Sequence, residues 1–372
     1  MINEYIDCTE FMRLIEDQKI KPSVVKRYLK EQGMVFTATN AHELATNVYT
    51  IFLGCQEMER LKQVIIHEGN YEKSVLVNSE LSQANDEDIL DYFADEFNKR
   101  RTTGYKGITI EQPVIKNDTM FLQLSYTKKV PGKNRFLKDA TRSVQIQIRK
   151  KSSKAATIDI RQQSTTDYQR VLEFLSAIAA GQDETELTIK HVNLQVLLPQ
   201  NRVSFFDELA NRQYPNWRLK TITGITVKKL STLEDDEEEE LSADGQELPT
   251  GALAGINQAV LHGNGLRSNE FVQTCLNQGF EITSMKYRYE SKQEATEFVV
   301  SVSSKSEDLR IDIDKSFTEE DGRLCHQPLP KSDQDEIIHA VQKEANAVYD
   351  TLRGKQKDTP GIEAVVVPVM QE

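Results

Sequence analysis

Two short stretches, TIDIRQQST at 157–165 and RIDIDKSFT at 310–318, alternate apolar and polar side chains with a period of two. That period belongs to a strand with one face on a core, because successive strand side chains point to opposite sides. Each stretch is followed by a segment of helical spacing. Val171, Leu172, Leu175 and Ile178 share one face of 168–180, and Ile337, Val341, Ala345 and Val348 share one face of 336–352. A chain that meets strand and then helix twice must cover sheets with helices. Its fold choices narrow accordingly.

Further alternating segments support the same reading. Leu122, Leu124 and Tyr126 alternate with Phe121, Gln123 and Ser125, and Val144, Ile146 and Ile148 alternate with Gln145, Gln147 and Arg149. Segments 282–289 and 298–302 read as strands as well. GITIEQ (107–112), GITVKK (224–229) and EITSMK (281–286) each follow a helical stretch, which extends the impression of repetition. The expected fold class is α+β: an N-terminal helical module, then two related antiparallel-sheet-plus-helix units arising by internal duplication. The expected divisions are a helical module at 1–85, a basic α+β domain at 86–230, an acidic linker at 231–250, a C-terminal α+β domain at 251–358 and a tail at 359–372.

The N-terminal stretch carries helical patterns at 9–18, 22–33 and 42–53, with Pro22 at a helix start and Gly33 and Gly54 at helix ends. The segment VVKRYLKEQGMVFTATNAHELATNVYTIFLG loosely resembles the helix-extension-helix modules of the SAP and LEM families over about 30 residues. In the DNA-binding form such a resemblance implies phosphate contacts, here from Lys21, Lys26, Arg27 and Lys30. This chain departs from that form, since its second matching helix has no Lys or Arg.

Charge is unevenly placed. The chain has 46 Lys and Arg against 58 Asp and Glu, a net charge of −12, yet residues 101–170 hold fifteen Lys and Arg against five Asp and Glu. Lys128, Lys129, Lys133, Arg135, Lys138, Arg142, Arg149, Lys150, Lys151 and Lys154 crowd one strand pair and its connection. Cations at this density suit a polyanion's backbone, and each neutralised phosphate releases counterions. Only Tyr126 and Phe136 are nearby rings for base stacking, which favours backbone contacts over sequence readout. Opposed to this segment is EDDEEEE at Glu234–Glu240, a self-repelling run that reads as an extended spacer. It could also compete for the basic surface.

Enzyme signatures are poor: no phosphate-cradling glycine loop, no HExxH and no GxSxG occurs. Asp312 and Asp314 share a strand face beside Lys315, the most nuclease-like arrangement in the chain. No cofactor or metal set is expected. The four cysteines, Cys8, Cys55, Cys275 and Cys325, are scattered and read as reduced thiols of a cytoplasmic protein. The first residues do not form a secretory signal, and no apolar run approaches the ~20 residues of a membrane span. The expected function is non-enzymatic: a nucleic-acid-binding or scaffold subunit of a larger assembly, with the ten basic residues on DNA or RNA phosphates. The alternatives are a metal-dependent nuclease and an adaptor docking an acidic protein partner. A homo-oligomer or complex subunit is expected, and no membrane partner.

Overall fold

The computed structural model describes residues 8–16, 22–49, 71–82, 87–129, 139–162, 164–180, 187–229, 258–263, 269–305, 308–320 and 322–357, with single positions at 51, 54, 56 and 266. The chain opens with α1 (Cys8–Glu16), α2 (Pro22–Glu31) and α3 (Ala41–Val48), then β1 (Lys73–Leu81) and α4 (Ile89–Thr103). Five strands follow: β2 (Ile108–Ile110), β3 (Val114–Lys116), β4 (Thr119–Lys129), β5 (Asp139–Ser152) and β6 (Ala155–Arg161). Next come α5 (Thr165–Ala179), β7 (Leu187–His191), a 3-10 turn at Leu194–Val196, α6 (Pro199–Ala210), β8 (Trp217–Lys229), β9 (Gln258–His262) and α7 (Glu270–Asn277). The chain continues through β10 (Phe280–Ser291), β11 (Thr296–Lys305), β12 (Asp308–Glu320), β13 (Arg323–His326) and the long α8 (Lys331–Lys357). The fold is a mixture of helix and antiparallel sheet, as the alternating segments require.

By their contacts these elements form two units, each assembled from separated stretches. The first takes residues up to Asn70, Leu90–Gln147 and Gln163–Phe174; the second takes Tyr71–Ile89, Ile148–Gln162 and the chain from Leu175 onward.

In the first unit, Phe11, Leu14 and Ile15 of α1 pack with Val25, Tyr28 and Leu29 of α2 and Leu44, Ala45 and Val48 of α3. Gly33 ends α2 in the left-handed region, at φ +78°. The Met34 amide then reaches back to the Leu29 carbonyl at 2.8 Å and the Gly33 amide to that of Lys30 at 2.9 Å, a paired closure of the helix end. After an extended stretch, α3 starts with reciprocal caps. The Asn40 side chain accepts from the Glu43 amide, and the Glu43 carboxylate accepts from the Thr39 amide and hydroxyl. Helix, extension and helix thus follow in the order that the sequence suggests, with α3 shorter than the pattern at 42–53. The sequence from 57 to 66 also has a helical pattern, but it lies outside the described residues.

The first unit's strands take the order β2-β4-β5, with β3 also on β4. β3 and β4 turn through Asn117 and Asp118, whose φ values of 45° and 58° suit a two-residue hairpin. Met120, Leu122, Leu124 and Tyr126 form the buried side of β4. Phe93, Phe97 and Phe174 stack in sequence at 5.6 and 5.8 Å, clamping α4 to the first part of α5.

In the second unit the strand order is β6-β1-β12-β11-β10-β8-β9, with β13 on β12 and β7 on β1. β1 is central: β6 runs along one edge, and β12 and β7 share the other, β12 opposite Lys73–Leu76 and β7 opposite Val77–Leu81. Helix α8 buries Ile337, Ile338, Val341, Ala345, Val348, Tyr349 and Leu352 in a core that also holds Ile311 and Ile313 of β12 and Val300 and Val302 of β11. The helical stripe read from the sequence is this face, on a helix longer at both ends. β8 and β9 pair directly, with Gly224 opposite His262 and Lys228 opposite Gln258. The acidic run Glu234–Glu240 therefore falls, in sequence, within the connection of one hairpin, where composition alone sets a boundary between domains. That connection, 230–257, lies outside the described residues. Among the described residues no helix is long and apolar enough to cross a membrane.

Because Gly33 carries a positive φ in the closure of α2, a side chain there strains the backbone. Gly33→Ala should cost about 1 kcal/mol and Gly33→Asn clearly less, since Asn tolerates this region. Amide exchange in α2 under mild urea checks the ranking.

Candidate nucleic-acid interface

The ten basic residues meet different fates. Lys128 and Lys129 end β4, but their side chains lie outside the described residues, as do Lys133, Arg135 and Lys138 between β4 and β5. β4 and β5 are neighbours in the first unit's sheet, joined by only nine residues, 130–138. A connection that short returns the chain antiparallel, since a parallel crossover needs a dozen or more residues. Arg142, on β5, is half-buried.

The remaining four belong to the second unit and have partners inside it. Lys150 pairs with Asp88 at 2.5 Å, and the Lys154 ammonium donates to the Glu87 carbonyl at 2.9 Å. Lys151 is exposed, and its ammonium donates to Asn78 Oδ1 at 3.0 Å. Arg149 donates to Gln342 Oε1 at 2.9 Å and lies 3.5 Å from Asp159 Oδ2. Burial pulls the Arg149 pKa below the ordinary arginine value.

Arg149 enters a buried network that the sequence reading does not anticipate. Asp159 on β6 has no exposed surface. Its Oδ1 accepts from the Ser74 hydroxyl at 2.5 Å and its Oδ2 from Arg161 Nε at 2.7 Å. Ser74 in turn accepts from Gln342 Nε2 of α8 at 2.6 Å. Arg161 also lies 2.9 Å from Asp335 of α8 and 3.7 Å from Glu72. Burial opposes ionisation of Asp159, but the two guanidinium groups and the Ser74 hydroxyl outweigh it and hold the pKa below the ordinary carboxylate value. The network fastens β1, β5 and β6 to α8 within the second unit.

Tyr126 is not a stacking platform. It is buried, its hydroxyl donates to Asp167, and the Arg170 guanidinium covers its ring at 4.3 Å from the centroid. Burial, followed by the Asp167 hydrogen bond, raises its pKa well above that of a free tyrosine. The sequence places this ring near the cations; the fold has already used it. Phe136 lies outside the described residues.

Asp312 and Asp314 do share a face of β12, but each has a cationic neighbour. Lys286 pairs with Asp314 at 2.5 Å, and Lys73 stands opposite Asp312 in the β1–β12 register. Among the described residues, no group of three His, Cys, Asp or Glu gathers as a metal site would require. Burial dominates at Asp312 and lifts its pKa to about 6, with the Lys73 attraction opposing and Asp314 adding to the rise. The lookalike segments TIDIR and RIDID thus sit in opposite settings. In β12 the isoleucines face α8 and the aspartates face away, whereas in β6 Asp159 and Arg161 join the network reaching α8.

No family model and no curated protein matches the chain. Among solved structures, the crystal structure of DynU16, a protein from the dynemicin biosynthetic locus, is similar over 76% of this chain and 98% of that chain, at 9% identity and a TM-score of 0.16. So slight a likeness bears on neither fold nor activity.

Asp159→Asn would leave two guanidinium groups around a neutral side chain and should cost about 3–5 kcal/mol, the usual penalty for breaking a buried ion pair. Urea unfolding at pH 7 measures it. Asp312→Asn should act in the opposite sense. With a folded pKa above its unfolded value, the wild-type aspartate loses stability as pH rises from about 4 to about 6. The variant should be more stable by about 1–2 kcal/mol at pH 7.5, a figure reduced for the side chain's partial contact with solvent. The difference should vanish near pH 3.5. Thermal unfolding of both proteins across this range decides it.

Proposed function

We propose that the chain is a non-enzymatic nucleic-acid-binding subunit or scaffold of a cytoplasmic assembly, contacting phosphates through the β4–β5 hairpin. What supports this reading is the crowding of Lys128, Lys129, Lys133, Arg135 and Lys138 at one end of two neighbouring strands. Arg149, Lys150 and Lys154 have partners inside the second unit, so the contact set narrows to the hairpin end, with Lys151 at most peripheral. With Tyr126 enclosed, affinity rests on charge, and sequence discrimination is weak. The helix-extension-helix segment adds Lys30, an exposed cation of the first unit, as a second contact.

The element order also favours an internal duplication. Strand, helix, several strands and helix run from β1 to α5, and the same succession runs from β7 to α8, with one extra helix, α7, inserted. An N-terminal helical module precedes both copies on this reading.

Gel-shift titration from 50 to 300 mM salt tests the function. Duplex and single-stranded probes should bind at low salt and dissociate steeply as salt rises. Reversing Lys128, Lys129 and Lys133 to Glu should weaken binding on the order of 100-fold and flatten the salt dependence, by about 0.9 in slope per lost phosphate contact. Lys151→Glu should change affinity less than about threefold on the same principle. Absence of any shift at 50 mM salt, or equal effects of the two variants, overturns the proposal. Capture of an acidic protein in place of nucleic acid would make the chain an adaptor.

A further inference from the structure

The end of the first unit's sheet where β4 finishes with Lys128 and Lys129 also receives a tight turn. β2 runs antiparallel to β4, with Ile108 opposite Tyr126 and Ile110 opposite Leu124. From Ile108 back to Lys106 the chain therefore runs toward the Lys128 end of β4. The Ile108 amide donates to the Tyr105 carbonyl at 2.7 Å, and between them Lys106 and Gly107 have φ values of 40° and 71°. Two consecutive positive φ values define the mirror-image turn that favours Gly, Asn or Asp at its centre.

This turn is fixed on both sides. The Gly104 amide donates to the Arg100 carbonyl at 2.8 Å and closes α4. Tyr105 packs edge-on against Phe174 of α5 at 5.3 Å, and its hydroxyl donates to the Glu173 carbonyl at 3.3 Å. Lys106 itself stays exposed, its ammonium 5.5 Å from the centre of the Tyr105 ring and 3.9 Å from the exposed Glu173 carboxylate. An ion pair so open to water holds its lysine weakly. Arg101, in the last turn of α4, is exposed as well, whereas Lys99 and Arg100 pair with Glu96.

The turn does not account for a lysine at 106. The turn at the start of β4 has Asn117 and Asp118 at φ 45° and 58°, residue types that tolerate this region. At 106 a long cationic side chain stands where Asn or Gly would suit the backbone better. Its charge has company: Arg170 lies over the Tyr126 ring, and Arg142 acts on the same phenol. We propose that Lys106 and Arg101 form a second phosphate-binding edge for a nucleic acid held at the basic end of β4, its backbone passing onto the C-terminal end of α4. This rests on the reading of the β4–β5 end as a phosphate contact. A helix C-terminus carries partial negative charge, so a phosphate approaches it only where cations outweigh that charge.

Fluorescence anisotropy on the full chain, with a short mixed-sequence duplex and its single strand over a range of salt, tests the proposal. Lys106→Gly preserves the turn and removes the charge. It should weaken binding about threefold to tenfold and lower the salt slope by about 0.9, the share of one phosphate contact. Arg101→Gln should act similarly. Glu173→Gln, which removes the carboxylate competing for Lys106, should tighten binding about twofold. Lys116, exposed and paired with Thr119 at the other end of β4, is the control. It stands about 30 Å from Lys128 along the strand, beyond the reach of screened charge, so Lys116→Gln should change affinity less than about twofold. Urea unfolding should find Lys106→Gly no less stable than the intact protein. Unchanged affinity and salt slope for Lys106→Gly and Arg101→Gln, while reversal of Lys128, Lys129 and Lys133 still weakens binding, overturns this proposal alone. An equal loss from Lys116→Gln also overturns it, because net charge then explains the effect. Absence of binding by the intact chain at low salt overturns it together with the reading on which it rests.

Discussion

An aspartate with no access to solvent is costly unless its charge is met from several sides, and Asp159 is met by two arginines and a hydroxyl. The second unit's architecture follows from that demand. Ser74 must lie across from β6, which places β1 centrally. Arg149 must reach inward from β5, and Gln342 must come down from α8 to engage both Ser74 and Arg149. A purely apolar contact would let α8 slide along the sheet at modest cost. A hydrogen-bonded network allows few arrangements, because a shift of one turn would strand a buried charge. The network thus specifies where the helix lies, while the isoleucines and valines beneath it supply the bulk of the attraction.

The periodic parts of this fold are legible in the sequence. The stripe Ile337, Val341, Ala345 and Val348 names the buried face of α8, and the alternation in 121–126 names a strand whose apolar side is buried as expected. Gly33 marks a helix end by its own chemistry. The network was not legible, for a physical reason. Asp-Ile-Arg at 159–161 has the same alternation as Asp-Ile-Asp at 312–314, and periodicity cannot tell which side meets solvent when both sides of a strand are covered. The adjoining Ser74 and Gln342 lie 85 and 268 residues from their partners in that cluster, Asp159 and Ser74 respectively. No local pattern could link them.

Charge density was equally instructive and equally incomplete. Ten cations between Lys128 and Lys154 look like one surface when written in a line. Strand β5 carries the line out of the first unit and into the second, where Arg149 and Lys150 have carboxylates of their own. A cation already neutralised inside the protein contributes little to the field felt by a polyanion. Crowding in sequence therefore overstates the surface available for docking. Tyr126 shows the same effect for an aromatic ring.

The insertion of 230–257 between β8 and β9 affects how firmly the sheet ends. β9 is five residues long, with Val260 53% exposed, and its pairing with β8 must close a connection of 28 residues. Closure entropy grows only slowly with length, so the connection can gain or lose residues at little energetic penalty. Five residue pairs on an outermost strand nevertheless give that closure little to hold against. β9 should therefore open and re-form more often than the strands beside α8, as a hinged margin on a rigid sheet. An acidic segment attached to such a margin can change in length and composition over evolution while the core beneath it stays the same.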